Sequence, residues 1–165
     1  MRRKYILLVF AICIFSLIII AGLMRNSGNI QTCIYQDEVR KMVINIPEEW
    51  TYALEKEFKG DENREGSPDF GIQLYIDGDT NNNIYFFYQH GTLNFQEPGI
   101  TSETLKTKQG RAGKLSTAIQ GDTRIIFVTY DIGHYAILAR LDNNVFNANK
   151  KEIYKVIKSS YIEEL

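Results

Sequence analysis

The chain is predicted to fold as an α+β protein: an antiparallel sheet with a long C-terminal helix packed on it, preceded by one N-terminal transmembrane helix. Three observations predict this. Residues 6–24, ILLVFAICIFSLIIIAGLM, run for nineteen positions without a charge, enough helix to span the roughly 30 Å hydrocarbon core of a bilayer. From residue 39 to residue 141, apolar stretches with strand periodicity are separated by Gly-, Asn- and Asp-rich turns, the pattern of hairpins. Only residues 145–159 change to the helical period. Strands first and one helix last is the order of an α+β domain, not of a βαβ repeat.

The apolar run sets the expected domain plan. Arg2, Arg3 and Lys4 precede it and only Arg25 follows closely, an asymmetry that leaves the N-terminus in the cytoplasm and the rest outside. Residues 1–5 are then a cytoplasmic stub, 6–24 the anchor in the lipid bilayer, 25–34 a polar linker, and 35–165 an extracytoplasmic domain. Ile19-Ile20-Ala21 offers a cleavage site with Ala21 at −1. A signal core is usually about 7–15 residues, and this run is longer. An uncleaved, single-pass anchor in the cytoplasmic membrane is therefore expected, with secretion after cleavage as the alternative.

The elements follow in order. In residues 35–46, Met42, Ile44 and Ile46 fall on one side of a strand that Pro47 ends. Pro47-Glu48-Glu49-Trp50 is a turn returning Trp50 to the core. Thr51–Phe58 reads as a strand, although Ala53-Leu54-Glu55-Lys56-Glu57 has helical propensity. Residues 59–69 form a loop. Phe70–Ile76 and Ile84–Gln89 make a hairpin across Asp77–Asn83, residues 90–109 are irregular, and Ala112–Gln120, Thr123–Asp131 and Tyr135–Leu141 form a meander. Asp142-Asn143-Asn144 supplies an N-cap for a helix over Val145–Ser159, with Phe146, Asn149, Ile153, Val156 and Ile157 on one face, Asn149 being its one polar interruption. Residues 160–165 are a tail.

Composition narrows the function classes. Residues 26–165 hold fifteen basic and twenty acidic residues, a net −5. That excludes ordinary nucleic-acid binding, which needs clustered Lys and Arg, and broad adhesion to anionic lipid. The richness in Ile, Lys, Asn and Tyr looks like a low-GC bacterial genome. Of the two cysteines, Cys13 lies in the apolar run, and Cys33 is alone in the exported part, so no disulfide forms within the domain. Cys33 is either a free juxtamembrane thiol or one half of an intermolecular bridge. Neither cysteine follows the small residues that lipidation requires.

Few residues point to chemistry. Asp77, Asp79, Asn81 and Asn83 stand at positions 1, 3, 5 and 7 of a calcium-loop pattern. Asn82 and Tyr88 stand where that pattern needs Gly and a bidentate Glu, so a polar hairpin loop is expected and no metal or other cofactor. Gly110-Arg111-Ala112-Gly113-Lys114 has a phosphate-loop flavour but lacks the earlier Gly and the following Ser or Thr. His90 and His134 are the only histidines, and Ser102 and Ser116 lack a nucleophile elbow. Tyr85-Phe86-Phe87-Tyr88 is either a central strand buried on both faces or, through Tyr85, Tyr88 and nearby Phe95, an exposed patch for a partner or ligand.

Ile44-Asn45-Ile46-Pro47-Glu48-Glu49-Trp50 resembles the opening of PsbP/Mog1-like domains, where a strand ends in an I-P-x-x-W turn. The hairpin, Gly110–Gly113 before a strand, the strands at Tyr130 and Tyr135–Leu138, and a last helix reaching Ser159-Ser160-Tyr161 agree in order over residues 39 to 162. The resemblance implies an antiparallel sheet flanked by helices, and binding or assembly factors in preference to enzymes. It carries over no catalytic residue. The expected function is a non-catalytic binding or assembly module of a bacterial envelope, with a protein partner there. The alternatives are an envelope hydrolase using Glu48 and Glu49, or Asp131 near His134, and a structural or immunity-type envelope protein.

Overall fold

Short runs rich in β-branched and aromatic residues become ten strands, joined by one helix and a single 3-10 turn, among the residues described by this computed structural model: 29–36, 38, 40–55, 70–88, 98–130 and 134–164. The strands are β1 (Ile30–Gln36), β2 (Arg40–Pro47), β3 (Thr51–Glu55), β4 (Phe70–Tyr75), β5 (Asn83–Tyr88), β6 (Thr101–Lys106), β7 (Ala112–Gln120), β8 (Thr123–Tyr130), β9 (Tyr135–Asp142) and β10 (Tyr161–Glu164). Helix α1 spans Asn143–Ser159. Seven strands form one antiparallel sheet in the order β3-β4-β5-β9-β8-β7-β6, and three form another in the order β1-β2-β10.

The expected α+β class is corrected by this count: the protein is mostly β, two antiparallel sheets with one C-terminal helix. Three strands make the difference. β1 takes up Ile30–Ile34, expected in the linker. β6 takes up Thr101–Lys106, expected to be irregular. β10 takes up most of the expected tail. All three lie at sheet edges, where a strand buries little and needs no apolar alternation to be stable. The transmembrane helix expected over 6–24 lies outside the described residues, among which no helix is long and apolar enough to cross a membrane.

One face of the seven-stranded sheet carries the main core. Cross-strand register places Leu74, Ile84, Ala139 and Ile126 in one row and Ile72, Phe86, Ile137 and Val128 in the next. Against these rows pack Met42, Ile44 and Ile46 of β2 and Phe146, Ile153, Val156 and Ile157 of α1. The parity of β2 is the one its alternation predicts. Trp50 is buried in the same core, brought there by a turn in which its N–H donates to the Pro47 carbonyl at 3.1 Å.

The other face of the large sheet holds a smaller cluster, Phe87, Phe127 and Ala136, flanked by Tyr85 and Leu138. Strands β5, β8 and β9 are interior to the sheet, and their continuous apolar runs fit burial on both faces. Gly71, opposite Phe87, is required by close approach: a Cβ there would collide with the Phe86 carbonyl oxygen and meet the Tyr85 ring at 2.8 Å. The β7–β8 turn uses Gly121 at φ 58°, the left-handed conformation that a two-residue hairpin needs at its first position.

Candidate functional site

A cleft of about 380 Å³ opens where the Pro47 end of β2, helix α1 and the loop after β6 meet. Its floor is apolar, with Ile46 and Pro47 from β2 and Val156 from the helix. Its rim carries Lys108 and Lys155 together with Glu49 and Glu152. Lys155 donates to Glu152 at 3.0 Å, one helical turn apart. Both groups are solvated, so the pair is worth about 0–1 kcal/mol. Asn29, at the entrance to β1, lines the same cleft. The cleft therefore lies at the end of the domain into which the N-terminal segment leads.

Local chemistry fixes each wall. Asn29 Nδ2 donates to Glu48 Oε2 at 2.9 Å, and its carbonyl accepts the Glu48 N–H at 3.0 Å. Gln31 Nε2 donates to the Trp50 carbonyl at 2.5 Å, tying β1 to the β2–β3 turn. On the opposite wall Lys108 donates its backbone N–H to the Lys158 carbonyl at 2.9 Å. That bond satisfies a carbonyl which the last turn of the helix leaves without an intrahelical partner. Two ammonium and two carboxylate groups over an apolar floor suit a small zwitterion or a peptide segment.

No protein-family model matches the chain, and no curated protein does.

The residues singled out from the sequence are dispersed. Tyr85 and Tyr88 occupy opposite faces of β5, so the structure does not bring them together. Tyr85 is half-buried and stacks on Phe87 with ring centroids 5.1 Å apart. Tyr88 is buried, edge-on to Tyr135 at 5.1 Å, with the Arg40 guanidinium 3.7 Å over its ring and the His134 ring 5.5 Å away. Phe95, His90 and Asp131 lie outside the described residues. Glu48 and Glu49 follow β2, whereas Arg40, beside Tyr88 and His134, begins it. Eight residues of strand separate the two groups by about 26 Å, so those glutamates and His134 do not share a site.

The Asp77–Asn83 loop folds around its own side chains. Asp77 adopts φ 52° in the 3-10 turn. Asp79 accepts the Asn81 N–H at 2.9 Å and the Asn82 amide at 2.7 Å. Those bonds, the backbone one first, hold its carboxyl below the usual carboxylate range. Asn83 Nδ2 donates to the Thr80 carbonyl at 3.1 Å. Among the described residues no group of three or more His, Cys, Asp or Glu converges as a metal set.

The residue that sequence reasoning missed is Asn82. It is 1% exposed. Its Nδ2 donates to Asp79 at 2.7 Å and to Asp142 Oδ2 at 3.2 Å, and its Oδ1 accepts the Asp142 N–H at 2.7 Å. It pins the β4–β5 hairpin to the start of α1. Asp142 is the N-cap residue of α1, within the expected N-cap segment, but its carboxylate makes no hydrogen bond to the helix and accepts from Asn82 instead.

The phosphate-loop flavour of Gly110–Lys114 resolves into a turn. Thr107 N–H donates to the Arg111 carbonyl at 2.9 Å, Gly110 N–H to the Thr107 carbonyl at 2.9 Å, and Arg111 N–H to Thr107 Oγ1 at 3.1 Å. These amides are used up within the turn. Ser102 and Ser116 pair with each other at 3.0 Å across β6 and β7. Cys33 is buried in the core beneath β1, and burial pushes its thiol up to about 11.

Proposed function

We propose that this chain is a membrane-anchored, non-catalytic binding or assembly module of a bacterial envelope, single-pass, with its β domain outside the cytoplasmic membrane. One observation carries the reading. The uncharged run 6–24 ends six positions before β1 begins, so an anchored chain delivers its domain directly at the bilayer surface. The cleft beside Asn29 opens at that same end. Tethering of this kind raises the effective concentration of the module toward a partner in the same membrane. The resemblance to PsbP/Mog1-like domains supports the same choice of a binding factor. The cleft is the candidate contact site, with Lys108 and Glu49 as its polar handles.

The test is topological. Cys33 is a poor reporter because it is buried, so an exposed thiol is introduced as Lys151→Cys. A membrane-impermeant maleimide is applied to intact cells and the intact mass is read. Labelling on the full-length mass supports the reading. Labelling on a mass lacking the first twenty-odd residues makes the protein secreted. Labelling only after lysis places the domain inside the cell and overturns it.

A further inference from the structure

The outward face of the three-stranded sheet carries a row of apolar side chains, exposed at Ile34 and half-buried at Val43 and Tyr161. Register sets Ile34 opposite Val43, and Val43 opposite Tyr161, so the row crosses all three strands. Ile30, which also lines the edge of the cleft beside Asn29, precedes Ile34 by four residues on the same face, about 13 Å away. Ile30 and Ile34 are 57% and 49% exposed, far more than large aliphatic side chains in the core. Between them Thr32 Oγ1 donates to Asn45 Oδ1 at 2.8 Å, so two of the polar groups on this face satisfy each other. Charge begins one row further, at Lys41 and Glu163, which are paired in register, and the Glu163 carboxylate reaches back to the Tyr161 hydroxyl.

We infer that this face rests on the lipid bilayer. The inference depends on residues 6–24 being an uncleaved anchor. Residues 25–29 are all that separate the run from Ile30, and fully extended they reach about 20 Å. β1 is therefore the element held nearest the headgroups, and it presents two exposed isoleucines on one face. Contact through this face suits the domain's charge. A net −5 body is repelled by anionic lipid, while a row with isoleucine at its edge and a tyrosine at its end suits the interfacial layer. The association is apolar, and salt changes it little.

The test uses the full chain in phosphatidylcholine nanodiscs, with Cys13→Ser as background. Ile34→Cys is labelled with an environment-sensitive fluorophore and quenched by lipids spin-labelled near the headgroup. Thr104→Cys, on the far edge strand of the large sheet, is the reference. Tyr161→Cys repeats the measurement from another strand of the same row, and buried Cys33 takes up no label in the folded background chain. Quenching at Ile34→Cys and Tyr161→Cys at least threefold above Thr104→Cys supports the inference. Equal quenching at all three, with the chain still in the disc, overturns it and leaves the anchor standing. Unquenched probes with excimer emission between Ile34→Cys chains carrying pyrene assign the face to a second copy and overturn it. A chain that elutes apart from the discs removes the anchor and the inference together.

Discussion

The two sheets of this protein treat their faces differently. The large sheet is buried on both sides at β5, β8 and β9, where Phe86 and Phe87 point into separate clusters. The small sheet is buried on one side only, with Cys33, Met42, Ile44 and Ile162 inward and Ile30 and Ile34 outward. Burial on both sides makes a strand a structural part, since each side chain answers to packed neighbours. Burial on one side leaves the other face free for a surface or partner. The difference separates the part of the molecule that holds the fold from the part that is available for contact.

Substitutions can break that comparison. Phe86→Ala, in the main core, is expected to cost about 3–5 kcal/mol in urea unfolding. A loss below about 1 kcal/mol would mean that β5 is not packed as described. Asn82→Ala removes three hydrogen bonds and leaves the Asp142 N–H without its acceptor. The expected cost in the same unfolding measurement is about 2–4 kcal/mol. Gly71→Ala forces a methyl against the Phe86 carbonyl and the Tyr85 ring, for about 1–3 kcal/mol.

The remaining two effects are smaller and sharpen the contrast. The Asp79 carboxyl titrates below its ordinary value of 3.8 in the folded state. Its contribution is therefore complete above that value and lost as pH falls through the lower folded pKa. Asp79→Asn should flatten the acid limb of the stability–pH curve by lowering the neutral plateau, with stability in strong acid little changed. Ile34→Ser, on the outward face of the small sheet, should stay within about 0.5 kcal/mol of the unsubstituted chain. A large loss there would mean that the small sheet depends on packing across both faces, just like the large one.

The interior strands were legible, and of the four edge strands only β3 was, within the expected Thr51–Phe58. Met42, Ile44 and Ile46 announce their face by alternation, and Ile125 to Val128 announce two-sided burial by an unbroken apolar run. Thr101–Lys106 and Tyr161–Glu164 carry no such signal, because a strand at an edge is stabilised by a neighbour's backbone and not by its own side chains. Ile30–Gln36 alternates, but its outward isoleucines and inward glutamine obscure which side is core. The class changed from α+β to mostly β on those three strands. The candidate cleft was illegible for a related reason. Asn29, Lys108 and Lys155 are far apart in sequence, and no spacing rule links them. Asn82 reads as loop filler until its partner sixty positions on is known.

The pairing of β10 with β2 has a kinetic consequence. Val43 lies opposite Tyr161 and Arg40 opposite Glu164, 118 and 124 positions apart. At about 5–20 residues per second of ribosomal synthesis, β2 waits roughly 6–25 seconds after it is made before its second neighbour exists. During that interval β1 can pair along one side of β2, while the other side presents open N–H and C=O groups to any strand that passes. The second side of β2 is thus closed only by the last strand of the domain to be made.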